Sequence, residues 1–308
     1  MGTVLKAEKL SKWYGKILGI SEISVEIKPG VQGLLGPNGA GKSTFLKIAS
    51  GQLKPNLGTI RIFDKPVYNN HDLFHRVGLC PEYDSFYKDV SGWEFMLFLS
   101  RLHGAKGKAA KEMAAGALDK VGLMENKDKL ISAYSLGMRQ RLKVAGSILH
   151  TPDLLILDEP LRGIDPLWRV KMIRLIKDYE KMGKTVIVSS HILPEIESMT
   201  NNIILIHQGK IFAQGDIQEV RSMMDSHPHM ISIRCDKPRL LAGRLVDREF
   251  ILNIDIDEAQ NRVVFKTDNR DGFFDLLTRM IAENGLDVEE ITSPDDNLQA
   301  VFDYLIGR

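Results

Sequence analysis

The run Gly36-Pro37-Asn38-Gly39-Ala40-Gly41-Lys42-Ser43, followed by Thr44, fits the pattern G-x-x-x-x-G-K-[S/T]. Its residue types suit one chemistry. Glycines let backbone N–H groups turn inward around an anion, where a Cβ would obstruct them. The helical run at 44–50 adds the positive end of its dipole. Lys42 then reaches the β- and γ-phosphates of a nucleoside triphosphate, and Ser43 offers a hydroxyl to Mg²⁺. A glycine-rich turn alone does none of this; the pattern needs a strand before it and a helix after it, which 33–35 and 44–50 supply.

A second cluster is Leu154-Leu155-Ile156-Leu157-Asp158-Glu159-Pro160, an apolar strand ending in two carboxylates. In an open α/β sheet the ligand lies beyond the carboxyl ends of the strands, which places both acids near the phosphates. Asp158 suits Mg²⁺, directly or through water, and Glu159 suits orienting or deprotonating an attacking water. His191 follows another apolar strand end at 185–190, where a neutral imidazole can hydrogen-bond a γ-phosphate or the water. Taken alone, it reads equally well as a surface histidine. The pair flanking Pro228, His227 and His229, reads as a solvated linker rather than a metal site.

These groups need a scaffold. Runs at 33–35, 154–157, 186–188 and 203–206 are short and almost purely apolar, the habit of parallel strands covered on both faces. Runs at 4–9, 23–27 and 59–63 alternate and predict half-exposed antiparallel strands. Helical spacing at 93–103, 109–121 and 138–149 predicts a small helical subdomain at about 84–150. After Gly215 the pattern changes: strands at 231–234, 250–254, 262–267 and 287–291 interleave with helices near 238–246, 272–284 and 297–306. The expected organisation is a domain at 1–216 and a small α+β domain at 217–308.

With 308 residues, about two domains are expected. The 41 basic and 40 acidic residues leave a net charge of +1, so no basic arm points to nucleic acid. Apolar stretches such as 95–99 and 154–157 fall far short of the ~20 residues that span a bilayer, and residues 1–10 lack the apolar core of a signal peptide. Cys80 and Cys235 are isolated in sequence. A soluble, cytoplasmic chain is expected.

Tyr134-Ser135-Leu136-Gly137-Met138-Arg139-Gln140-Arg141 makes the reading specific. It resembles the signature of ATP-binding cassette (ABC) ATPases and lies between the phosphate loop and the acidic strand, as in that family. By this resemblance Tyr14 corresponds to the aromatic that stacks on adenine, and 36–44 to Walker A. Asp158 and Glu159 correspond to Walker B, Gly163-Ile164-Asp165 to the D-loop, and His191 to the switch histidine. The resemblance covers about residues 4–215. It implies a P-loop NTPase (RecA-like) cassette with antiparallel β and α-helical subdomains, binding ATP and Mg²⁺. It also implies two cassettes stacked head to tail, each Ser135–Met138 segment capping the γ-phosphate held by the other.

Several positions depart from the pattern. Leu136 stands for the usual glycine and Met138 for the usual glutamine, the latter familiar from type-2 exporters. Leu161-Arg162 follows Pro160 where Thr or Ser is usual at the first position, with no evident reason in the sequence. In Cys80-Pro81-Glu82, Glu82 replaces the Q-loop glutamine, which also occurs in the type-2 branch; as a carboxylate it can still contact Mg²⁺ and support turnover. The C-terminal unit and its closing run at 293–302 also resemble that branch, and dimerisation, regulation or simple stabilisation all suit the unit.

The family resemblance implies a separate integral membrane permease, holding the subunit at the inner face of the membrane. Tyr83, Phe86 and Tyr87 are docking candidates for it, while Trp93, Met96 and Leu97 read as subdomain core. The resemblance points to export powered by ATP-driven dimerisation. A soluble cassette acting on ribosomes or DNA, or a module that signals by binding alone, are the alternatives; a lack of heptad insertions argues against the first and the retained Asp158-Glu159 pair against the second.

Overall fold

Strong pairing of two alternating stretches opens the chain as a hairpin, β1 (Leu5–Tyr14) with β2 (Ile17–Ile27). The computed structural model describes residues 2–87, 89–219 and 229–293, which divide into two compact units, Met1–Asp216 and Ile217–Arg308. In the first unit the hairpin is followed by β3 (Val31–Leu35) and α1 (Lys42–Ala49). Next come β4 (Leu57–Ile62), β5 (Lys65–Pro66), α2 (His71–Phe74) and β6 (Val77–Cys80). A helical layer, α3 (Gly92–Leu102), α4 (Gly107–Lys120) and α5 (Leu136–Ile148), leads into β7 (Leu154–Asp158) and α6 (Pro166–Lys181). The unit closes with β8 (Thr185–Ser190), α7 (Leu193–Glu197), β9 (Asn202–His207) and β10 (Lys210–Asp216).

These strands form an antiparallel sheet in the order β2-β1-β4-β5 and a six-stranded sheet in the order β10-β9-β3-β8-β7-β6. The six-stranded sheet is parallel except for its edge strand β10. β3, β7 and β8 are buried along their whole length, as strands covered on both faces must be. Leu34, Ile156, Ile187 and Ile204 share one core with Phe45 of α1 and with Ile20 and Leu10 of the antiparallel sheet. Each such side chain contributes ~1.5–3 kcal/mol on burial. Ala40, in the loop between β3 and α1, belongs to that common core.

Local signals set the helix starts. Ser91 and Glu94 form a reciprocal capping box for α3, and Asp165 caps α6, with Pro166 at the first helical position. The expected strand at 4–9 runs on to Tyr14, because pairing with β2 continues through Tyr14 and Ile17. β6, α6 and β10 stand outside the elements expected from periodicity. β6 spans four residues including Gly78; α6 is dominated by charge, with Met172, Ile176 and Tyr179 as its buried stripe; and β10 is an edge strand with no fully buried residue. Met96 is fully buried in the helical layer, while Trp93 and Leu97 are half-buried.

The second unit contains β11 (His229–Cys235), α8 (Pro238–Leu245), β12 (Ile251–Asp257), β13 (Arg262–Thr267), α9 (Arg270–Asn284) and β14 (Val288–Thr292). Its antiparallel sheet has the order β12-β13-β11-β14. Ile231, Ile233 and Phe265 face Leu241, Phe273 and Leu277 in a core of its own. The helix expected at 297–306, the closing run beyond residue 293, and His227 and Pro228 lie outside the described residues. Among the described residues no helix is long and apolar enough to cross a membrane.

Candidate functional site

β3 ends where residues 36–41 turn into α1, so the loop sits at the carboxyl edge of the parallel sheet, the place where open α/β sheets hold ligands. Lys42 is 6% exposed and folds back over the loop. Its Nζ donates to the carbonyls of Gly36 at 2.6 Å and Pro37 at 3.3 Å, and lies 3.4 Å from Glu159 Oε1. A cleft of about 690 Å³ opens here, lined by Gly39, Lys42, Ser43, Thr44, Glu82, Glu159, Arg162 and His191, with Ile17 and Leu18 at an apolar edge. β2, the start of α1 and the turns after β6, β7 and β8 all contribute to it.

The acidic turn is held from several sides. Glu159 has φ 50, a left-handed conformation that costs a non-glycine residue on the order of 1 kcal/mol. Its N–H donates to Ser189 Oγ at 2.9 Å, and that hydroxyl donates in turn to Asp158 Oδ1 at 2.6 Å. Gln140, on α5, donates to the carbonyls of Glu159 and Pro160, both at 3.2 Å. The Glu159 carboxylate meets His191 Nδ1 at 3.0 Å. A carboxylate can only accept, so Nδ1 carries the proton in this contact and Nε2 is left to face other groups.

Glu82 is placed at the same cleft. Its Oε1 accepts from Arg162 Nη1 at 2.7 Å, and its backbone carbonyl accepts from Lys143 Nζ at 2.6 Å. Two residues on, Asp84 accepts from Arg139 Nε at 2.7 Å and lies 3.3 Å from Lys143 Nζ. Burial alone would raise the Asp84 pKa, but Arg139 and Lys143 outweigh it and hold the carboxyl below its ordinary range. Both cations project from α5, so the helix that begins at the signature grips the segment after β6.

The other predicted residues fall elsewhere. Ser135 caps α5 and its Oγ accepts from the Met138 N–H at 3.2 Å. Leu136 lies against Gly163, and Asp165 accepts from the Trp168 N–H at 3.0 Å as the cap of α6. Thus 135–138 and 163–165 adjoin one another and do not line the cleft around Lys42. Tyr14 packs beside Gly19 with its hydroxyl 3.4 Å from Thr44 Oγ1, outside the cleft lining. Asp158 is 4% exposed and faces Ser189. Tyr83, by contrast, is exposed and lines the cleft beside Glu82; Tyr87 is exposed outside it, and Phe86 packs edge-on against Phe95 at 5.2 Å.

Arg162, Ser189 and Gln140 went unassigned by sequence reasoning. Arg162 had left a mark as an unexplained departure, and Ser189 as a polar residue inside an apolar strand; Gln140 left none, because its burial depends on the packing of α5. Leu161, the other departure after Pro160, is buried in the core.

The ABC transporter family model matches residues 20–162. The bacitracin transport ATP-binding protein BcrA of Bacillus licheniformis is 33% identical over 310 residues, covering 100% of this chain and 98% of that protein. The daunorubicin/doxorubicin resistance ATP-binding protein DrrA of Streptomyces peucetius is 31% identical, with coverage of 99% and 92%. Among solved structures, cbiO1 of Clostridium perfringens, part of the ABC transporter complex cbiONQ, superposes with a TM-score of 0.63 at 27% identity over 73% of this chain and 92% of that one. The dimeric post-hydrolysis structure of the cassette MJ0796 shares the fold, with a TM-score of 0.65 at 20% identity over 69% and 98%.

Proposed function

This chain belongs to the ATP-binding subunits of ABC transporters, a family of ABC ATPases, and from that premise we propose that it powers export through a separate integral membrane permease. Two copies, or two paired cassettes, close on ATP and open after hydrolysis. The observation that carries this reading is the Lys42–Glu159–His191 cluster at the mouth of the phosphate loop.

The cluster provides an ordered set of exchanges. A triphosphate in the loop draws the Lys42 ammonium from the Gly36 and Pro37 carbonyls and from Glu159 toward the β- and γ-phosphate oxygens. Glu159 is then free of its cation and orients the attacking water, accepting its proton as general base. The His191 Nδ1–H holds the carboxylate in place. Its Nε2 accepts from the water when the ring is neutral and donates to a γ-phosphate oxygen only when the ring is protonated. Tyr14, beside Thr44 and Gly19, stacks on the adenine.

The residues fit Mg²⁺. Ser43 and Glu82 line the cleft and offer a hydroxyl and a carboxylate oxygen, and Asp158, at the end of β7 next to Glu159 but outside that lining, would join them through water. That is the sparse oxygen set of a cation completed by phosphates and water. When bound, Mg²⁺ neutralises charge on the β- and γ-phosphates.

Ser135–Met138 stand apart from the Lys42 cleft, which supports their action on the nucleotide of the opposing cassette. Exposed Tyr83 and Tyr87, the latter edge-on to Phe98 at 6.4 Å, form the contact for the permease at the inner membrane face. The names of BcrA and DrrA support the export direction, and the permease sets the cargo.

The test is Glu159→Gln in the complex with its permease. We expect hydrolysis to fall ~100-fold or more, the contribution of a general base, while ATP stays bound and the cassettes stay paired. Unchanged turnover, or a variant that remains single with excess ATP and Mg²⁺, would overturn the reading.

A further inference from the structure

Glu82, at the Q-loop glutamine position, and Arg162, next to the departure at Leu161, meet in space. Glu82 and Arg162 are separated by 80 positions, yet Oε1 and Nη1 lie 2.7 Å apart at the rim of the cleft that contains Lys42. The root of Glu82 cannot withdraw, because its carbonyl is clamped by the buried Lys143 ammonium at 2.6 Å. Its side chain, 20% exposed, therefore stays beside the nucleotide site. Arg162 belongs to the tight turn of Glu159, donating its N–H to the Glu159 carbonyl at 3.2 Å. Once a triphosphate is bound, the Lys42 charge is committed to its β- and γ-phosphate oxygens and does not offset Glu82. A fixed carboxylate facing a triphosphate would repel it, and Arg162 is the cation in contact with that carboxylate.

We infer that Arg162 is a positioning residue that carries the counter-charge of Glu82, so that the pair meets the triphosphate as one neutral unit and ties the turn after β6 to the turn of Glu159. This rests on the cleft being the nucleotide site. The structure assigns the two residues to a single cause: a carboxylate at position 82 is tolerated because position 162 is a guanidinium. The salt bridge is half-exposed on the arginine side, so its worth to stability is small. Its worth to ligand charge is larger, since a unit charge at ~7 Å in a medium between protein and water changes affinity ~10-fold.

The experiment is titration of the full chain with the fluorescent analogue mant-ATP, with and without Mg²⁺, for wild type, Arg162→Ala, Glu82→Gln and the double variant. Arg162→Ala is expected to weaken binding ~10-fold, the double variant to return within ~3-fold of wild type, and the loss to shrink at high salt. A wild type that does not bind mant-ATP removes the site reading itself. A wild type that binds, with Arg162→Ala equal to it or with a loss that persists in the double variant, overturns the role of Arg162 alone. Should Arg162→Ala melt below the assay temperature, Arg162→Gln takes its place, keeping a planar donor without the charge; wild-type affinity there overturns the inference as well.

Discussion

Gly163 is the point where the signature and D-loop segments touch, and replacing it with alanine separates two costs. The residue has φ 70, and an L-side chain in that region costs ~1–2 kcal/mol. A Cβ there would also stand 2.4 Å from Leu136 Cδ2 and 2.7 Å from its Cγ, but 3.7 Å from its Cβ. Leu136 is 51% exposed, so it can swing aside at ~0.5–1.5 kcal/mol for a poor rotamer, well below the cost of overpacking a closed core. Gly163→Ala should therefore cost ~2–3 kcal/mol in the wild-type background. In a Leu136→Ala background the remaining 3.7 Å contact is ordinary, and only the ~1–2 kcal/mol of backbone strain is left. The coupling, on the order of 1 kcal/mol, is read from a double-mutant cycle by urea unfolding. Trp13, Trp93 and Trp168 all lie in the first unit, so tryptophan fluorescence reports on the unit concerned. Equal costs in the two backgrounds would refute the contact; so would a Gly163→Ala cost below ~0.5 kcal/mol, since left-handed strain alone exceeds that. Nucleotide binding to the single chain should stay within ~2-fold, because neither residue lines the cleft, and RT ln 2 is only ~0.4 kcal/mol.

Two further outcomes are expected. Burial, helped by the neighbouring His103 ring stacked at 4.0 Å, pushes the His150 imidazole down to about 4 from its ordinary 6.5. The unfolded chain thus binds the proton first as pH falls from 6.5 toward 4, and stability is lost over that window; with the ring partly open to solvent the loss is on the order of 1 kcal/mol. Urea midpoints at pH 7.5 and pH 5 should converge in His150→Gln, and an unchanged pH slope would contradict this. Gly122→Ala places a Cβ 2.0 Å from Trp168 Cη2 at φ 62, against an indole held by Arg141 and Lys171, each 4.2 Å from the ring centroid. The expected cost of ~3 kcal/mol lowers the melting temperature by about 6–12 °C, and a drop under about 2 °C would show that the indole moves freely.

Legibility followed the range over which each signal is written. The apolar runs at 33–35, 154–157 and 186–188 inside the buried strands β3, β7 and β8 were readable because burial on both faces keeps consecutive residues apolar. α6 was not, because its buried stripe is Met172, Ile176 and Tyr179 among charges and its existence depends on what packs against it. The phosphate loop was readable from its own residues. The company of Lys42 was only partly so: the partners Gly36 and Pro37 are local, while Glu159 arrives from another strand.

Residue order alone carried a glycine-rich loop between strand and helix, an acidic strand end, a segment that resembles the ABC signature and the change of pattern after residue 215. Each is a matter of neighbouring residue types, and backbone conformation responds directly to those. The folded chain set the rest: Arg162 answers Glu82, Ser189 bridges Asp158 to the backbone of Glu159, and Leu136 rests on Gly163. Those are contacts between residues tens of positions apart, set by how the sheet orders its strands and how α5 packs on it, and short-range spacing carries no information about them.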